Sequence, residues 1–249
     1  MTLQRTLSLE APMPRLRPDR PNVVVFFTDQ QRWDSVGLHG NPLNLTPNLD
    51  RMARRGTHVP NAFTPQPVCA PTRACMQTGL YPTTSGIYRN HLPLPAATPT
   101  LATHFGNAGY RTGYIGKWHL ADRDPVPPEQ RGGYQSWLVQ DALKSLGLLD
   151  DTIVVFTTDH GCHFKTRNSE YKRSCHDASI QVPLALQGPG FDGGGQLREL
   201  VSLIDLPTTL LDAAGLPVPA AWHDVCIWTL SPTSRCDEAE RHGRTRPGT

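Results

Sequence analysis

Apolar residues gather in two short unbroken runs that end alike. PNVVVFFTDQ, Pro21 to Gln30, is β-branched and aromatic almost throughout, and DDTIVVFTTDHG carries a second such run over Thr152 to Thr157. Unbroken runs of this length predict strands buried on both faces, hence a parallel sheet flanked by helices. Between them the period changes. Thr46 as a cap, Pro47 at the first helical position and Gly56 as a stop predict a helix over Pro47 to Arg55. Another is expected after Pro71, ending near Gly79, and a third over Thr100 to Ala108, followed by a short strand, Arg111 to Gly116, that feeds a Lys-Trp-His loop. Later, DALKSLGLLDD reads as a helix, VPLALQGPG as a strand, and RELVSLIDLPTTLLDAAGLPVP as a helical segment with a glycine stop. Helices alternating with apolar strands predict an α/β domain over residues 21–219, with a mostly parallel sheet sandwiched by helices. Three stretches break the pattern: a polar, proline-rich leader over 1–20, a Pro/Gly-rich linker over 121–137, and a tail over 220–249 without a clear period.

Composition narrows the partners. A formal charge of +2, from 24 basic and 22 acidic residues without long blocks of one sign, gives no electrostatic footprint for nucleic acid. Six scattered cysteines without a C-x-x-C pair suit a reducing compartment better than a disulfide scaffold. No eighteen apolar residues run together, and arginines and prolines stand where a secretory signal has its apolar core. The expectation is a cytoplasmic protein with no membrane partner, or a periplasmic one if the true N-terminus differs.

The chemistry concentrates at strand ends. In an open parallel sheet, ligands collect outside the carboxyl ends of the strands. Asp29 with Gln30, and Asp159 with His160, directly follow the two buried runs. Together they offer a mostly oxygen-rich set suited to calcium, magnesium or manganese; the plainer alternative is that each Asp caps a turn. Cys69, between Pro67 and Pro71 at a predicted helix start, could be packing, half of a metal clip, a thiol nucleophile or a residue awaiting conversion. Helix amides and Arg73 would favour negative charge there, whereas Cys75 reads as an ordinary packed thiol. In GYIGKWHL, Lys117 and His119 alternate around Trp118, so both could face one pocket while the indole enters the core. Lys172, Arg173 and His176 add further cations. Such a pocket suits a sulfate or phosphate ester. A zinc site from His160, Cys162, His163, Cys175 and His176 lacks the usual paired-ligand spacings.

These pieces, together with TPNLDRMARRG, VCAPTRACMQTGLYPTTSG, EYKRSCHDASIQVPLALQGPG and ELVSLIDLPTTLLDAAGLPVP, resemble the sulfatases of the alkaline phosphatase superfamily, in family order over most of Pro21 to Pro219. The resemblance implies that Cys69, in Cys69-Ala70-Pro71-Thr72-Arg73, is oxidised to formylglycine by a formylglycine-generating enzyme. One hydroxyl of the hydrated aldehyde then attacks sulfur, and the second expels the sulfate. It implies one divalent cation, Ca2+ before Mg2+ or Mn2+, held by Asp29, Gln30, Asp159, His160 and the modified Cys69. Gln30 and His160 stand where many relatives have an acid and an amide. Arg73 and Lys117 would hold the nucleophile and sulfate oxygens, His119 would accept a proton, and Lys172 would bind sulfate. The expected substrate is a small-molecule or carbohydrate sulfate ester. Gln and His variants also occur in relatives that cleave phosphonate monoesters and phosphodiesters. Relatives are longer in the region of 121–137, where they carry a further histidine that protonates the leaving alcohol, and after residue 219. An internally shortened, C-terminally altered chain is therefore expected, either active or an inactive remnant, with low solubility.

Overall fold

The computed structural model describes residues 20–138, 152–166, 169–222 and 227. The leader over 1–19, the helix expected in DALKSLGLLDD and most of the tail lie outside the described residues. In chain order the elements are β1 (Asn22–Thr28), α1 (Pro47–Arg55), β2 (Thr57–His58), β3 (Ala62–Phe63), α2 (Cys69–Thr78), α3 (Pro82–Ser85), α4 (Leu101–Asn107), β4 (Gly113–Ile115) and β5 (Ser136–Leu138). They continue with β6 (Thr152–Thr158), α5 (Asp177–Ile180), β7 (Gln181–Val182), β8 (Ala185–Gln187), β9 (Gly195–Gln196), β10 (Val201–Ser202) and α6 (Asp205–Ala213).

The α/β class expected from the sequence is the class observed. The main sheet runs β1-β6-β8-β2-β9 and is mixed: β1 pairs with β6, and β2 with β9, in parallel, while β8 runs antiparallel to both β6 and β2. The two apolar runs are thus neighbours, paired in register from Asn22↔Thr152 to Thr28↔Thr158. Their matching Thr-Asp ends arrive side by side, and Thr158 Oγ1 donates to the Thr28 carbonyl at 3.1 Å.

Helix α1 has the bounds the sequence predicts. Helix α2 begins at Cys69 itself and ends at Gly79, whose φ of 63° is the left-handed conformation a glycine stop provides. Nine of the ten α2 residues are buried, so this helix is enclosed on all sides. Thr100 caps α4, accepting from the Thr103 N–H. The segment RELVSLIDLPTTLLDAAG differs from its reading as helix: Val201–Ser202 pairs with β3, and α6 starts only at Asp205. Pro207 then falls in the first turn, where its missing N–H leaves no bond unmade. Within 121–137 the chain forms a 3-10 turn over Pro128–Gln130 and then enters β5, which pairs in parallel with β4. The main core joins Ile153 and Val155 of β6 to Leu206, Leu210 and Leu211 of α6. A second cluster, with Ala70, Ala74, Trp118 and Leu120, packs beneath the Lys-Trp-His loop.

Candidate functional site

The site forms where β1 and β6 end. Asp29 leaves β1 exposed to solvent, whereas Asp159 and His160 are fully buried at the end of β6. Asp159 is held from three sides: its Oδ1 accepts the N–H groups of Gln30 at 2.9 Å and His160 at 3.0 Å, and its Oδ2 accepts from Arg73 at 3.2 Å. Gln30, at φ 52°, turns the chain in the left-handed region just where its N–H reaches Asp159. Arg73 comes from α2, is 5% exposed, and uses its other arm on the Lys117 carbonyl at 2.8 Å. This guanidinium therefore links the end of β6 to the loop after β4.

Cys69 lies at the centre. Its Sγ is 2.8 Å from Lys172 Nζ, 3.3 Å from His160 Nε2 and 3.7 Å from Lys117 Nζ. Burial raises the thiol pKa, but hydrogen bonds from His119, His160 and Lys172 outweigh it and bring the group down to about 5. Cys75, six residues along the same helix, lacks such donors, and burial pushes it up to about 12. The sequence-based contrast between a special and a packed cysteine therefore has a physical basis. Trp118 turns into the second core cluster, while Lys117 and His119 on either side of it both meet the Cys69 sulfur. His119 adopts φ 59° to do so.

The donors that could hold a cation also converge. One ligand atom from each of Asp29, Cys69, Asp159 and His160 lies within 4.8 Å of all the others. His160 Nδ1 donates to the Gly161 carbonyl at 2.9 Å, since a carbonyl only accepts, and Nε2 is the ring nitrogen left to face Cys69 and the site. Lys172 Nζ sits 2.9 Å from that Nε2, and Lys117 Nζ 2.6 Å from Asp29 Oδ2. Burial raises the Asp29 pKa, yet the Lys117 ammonium and Arg73 win and hold it below the usual carboxylate range. Two carboxylates and an imidazole aimed at one place, with ammonium groups drawn onto them, fit a hard divalent cation. Gly161 makes this geometry accessible: a Cβ there would stand 2.1 Å from the Ala178 carbonyl, so only glycine lets α5 pack against the His160 backbone.

Not every cation singled out in the sequence joins the site. Arg173 pairs with Glu170 at 3.2 Å on the surface, and His176 is exposed. Cys162 and His163 are buried while Cys175 is exposed, and among the described residues the one cluster suited to a metal is that around Cys69. The mixed Cys/His zinc arrangement is not assembled there. Two neighbours were missed in the sequence. Asn90 Oδ1 accepts the Ala70 N–H at 3.0 Å, beside the nucleophile, and the His91 ring meets His119 edge-on at 6.2 Å. Their only signal was a polar Asn-His pair in an otherwise loop-like stretch.

The α/β fold thus brings one thiol, the cations Arg73, Lys117 and Lys172, and the carboxylates of Asp29 and Asp159 together at its strand ends. The Sulfatase family model matches residues 21–140 and 134–216, and the chain belongs to that family. The ulvan-active sulfatase of Formosa agariphila is 41% identical over 123 residues, which is 48% of this chain and 24% of that protein. The chain therefore matches about a quarter of that relative's length. Among solved structures, BT4656 in complex with its substrate D-glucosamine-2-N,6-O-disulfate superposes with a TM-score of 0.71 at 16% identity, over 86% of this chain and 81% of that one. The phosphonate monoester hydrolase of Agrobacterium radiobacter superposes with a TM-score of 0.67 at 18% identity, over 83% and 79%. At these identities the likeness is one of fold.

Proposed function

We propose that this chain hydrolyses sulfate esters of carbohydrates, with Cys69 converted to formylglycine by a formylglycine-generating enzyme and with one divalent cation, Ca2+ by preference. The observation that carries the reading is the convergence of Lys117, His119, His160 and Lys172 on the Cys69 sulfur, at the ends of the only two long strands among the described residues.

Asp29, Asp159 and His160, with Gln30 beside them, would hold the cation, which when bound supplies positive charge that polarises the ester and lowers the pKa of a ligated hydroxyl. Once Cys69 is converted, hydrated formylglycine would supply a geminal diol: one hydroxyl would form the bond to sulfur as the S–O bond to the leaving alcohol breaks, and the second, on losing its proton, would re-form the aldehyde as the C–O bond to sulfate breaks. Atoms replacing Sγ inherit its neighbours. His119 would take the proton of the second hydroxyl. Lys172 and Lys117, both within 3.7 Å of Sγ, would bind sulfate oxygens and stabilise the charge that grows on them. Arg73 would act by fixing the Asp159 carboxylate and the Lys117 backbone.

The test is expression with the converting enzyme, followed by the mass of the Cys69 peptide and parallel assays on an aryl sulfate and an aryl phosphonate. The expected result is a loss of about 18 mass units as S and two hydrogens give way to one oxygen, with Ca2+-dependent turnover of the sulfate. Faster turnover of the phosphonate would favour a phosphonate monoester or phosphodiester hydrolase at the same site. Conversion without turnover of either would leave an inactive remnant. An aryl ester is the right probe because a good leaving group needs little protonation.

A further inference from the structure

Beside Cys69 lies a hollow of about 410 Å³ that the chemistry above does not use, lined by Val68, Tyr88, Arg89, Asn90, His91 and Arg173, with Gln66. We propose that it is a subsite for a second anionic group on the sugar, so that the preferred substrates are carbohydrates bearing a further sulfate or carboxylate next to the scissile ester. This inference rests on the sulfate-ester reading and names its substrate class.

Three features point to such a ligand. The first is charge. Two guanidinium groups and an imidazole line the hollow, and among the described residues no carboxylate does. Arg173 donates through one arm to Glu170 at 3.2 Å, which leaves the rest of its fork. The Arg89 guanidinium lies 5.9 Å over the Tyr88 ring, and both residues are exposed. Guanidinium forks match the planar or tetrahedral oxygens of carboxylates and sulfates.

The second is connection to the reacting centre. Val68 directly precedes Cys69, Asn90 Oδ1 accepts the Ala70 N–H at 3.0 Å, and the His91 ring abuts His119, which hydrogen-bonds Cys69. A group bound here is therefore positioned by the same short segment that carries the nucleophile. The third is shape. Gln66 Nε2 donates to the Tyr88 carbonyl at 2.8 Å, bracing the loop, and Tyr88 is 54% exposed. An exposed, braced aromatic ring offers a flat apolar face to a sugar while its hydroxyl stays in water. Ordinary surface arginines would be distributed without regard to the nucleophile; here they share one hollow with the residues that flank it.

The experiment uses the full chain expressed with the converting enzyme. Values of kcat/KM are compared for a monosulfated disaccharide, its disulfated counterpart and its uronate counterpart, matched at the scissile ester, with aryl sulfate as the reference. The expected result is a preference of about tenfold for the dianions, the size of one hydrogen bond to a charged group. That ratio should collapse in Arg89→Ala, shrink in Arg173→Ala, and fall as salt is raised. The order of the disulfated and uronate arms identifies the second anion. Equal kcat/KM for mono- and dianions, or a preference untouched by Arg89→Ala, overturns the subsite. If no ester is turned over, aryl sulfate included, the sulfate-ester reading fails. Calorimetric titration of the disulfated disaccharide onto the unconverted chain then decides the subsite by itself: a Kd about tenfold weaker in Arg89→Ala supports it, and an unchanged Kd overturns it.

Discussion

Arg73 joins three parts of the site through a single side chain. It is buried, donates to a fully buried carboxylate and to the Lys117 carbonyl, and stacks 5.2 Å over the Phe27 ring. Removing one partner of a buried pair leaves the other charge stranded, which destabilises proteins by about 3–5 kcal/mol. Arg73→Ala is therefore expected to lose stability of that order in urea unfolding. Arg73→Lys should recover little, because one ammonium cannot serve two acceptors in the geometry of the fork. Near-complete recovery by lysine would mean that charge alone matters at this position. A second residue-scale pair lies away from the site. His39 Nδ1 donates to the Trp33 carbonyl at 2.7 Å, so His58 Nε2 must donate to His39 Nε2, 2.8 Å away. Burial and the neighbouring His39 lower the His58 pKa to about 4, against the pull of Asp50. Unfolded, the ring takes up its proton nearer 6.5, so the unfolded chain binds more protons between these values. Stability should accordingly be full above about pH 6.5 and fall as the pH drops toward 4. Melting temperatures from pH 7 to 4.5 should decline less steeply in His58→Gln than in the parent chain; parallel slopes would remove His58 from the account.

At the scale of elements, the sequence was legible where apolar residues run unbroken, although β1, read as buried on both faces, is half-buried at the sheet edge and carries an exposed Phe26. Unbroken apolar runs gave β1 and β6, and cap, proline and glycine gave α1 to the residue, because those signals are local. Asp29 and Asp159 were legible as a pair since identical strand ends imply adjacent positions once both strands join one sheet. Pairing direction was not: β8 lies antiparallel to β6 although Ala185–Gln187 carries nothing to distinguish it from a parallel strand. The start of α6 was hidden because Val201–Ser202 is apolar enough for either state, and β3 claims it. Lys172 was legible as a pocket cation together with Arg173 and His176, but what separates it from those two is not local, since its approach to Cys69 spans 103 positions.

For the molecule as a whole, the edge matters most. Among the described residues β1 is the last strand on its side of the main sheet, with Phe26 46% exposed. A groove of about 820 Å³ runs along it, walled by β1, α4 and the β4 segment, with Ile115 exposed at its rim. Open apolar edges promote self-association. Size-exclusion chromatography is expected to show concentration-dependent association, reduced by Phe26→Lys, which sets a charge on the edge. A sharp monomer peak at all concentrations with a cooperative melt would show that the edge is covered.

The pairing of β1 with β6 also sets a clock. Asn22 meets Thr152 across 130 positions of chain, and a ribosome adding about 5–20 residues each second needs roughly 7–26 s to make that stretch. Once folded, Cys69 is 4% exposed and closed in by neighbours from both halves of the chain. Before the second half exists, neither His160 nor Lys172 can cover it. Any enzyme that must reach this sulfur has its opportunity during synthesis, and slower translation between the two halves would lengthen it.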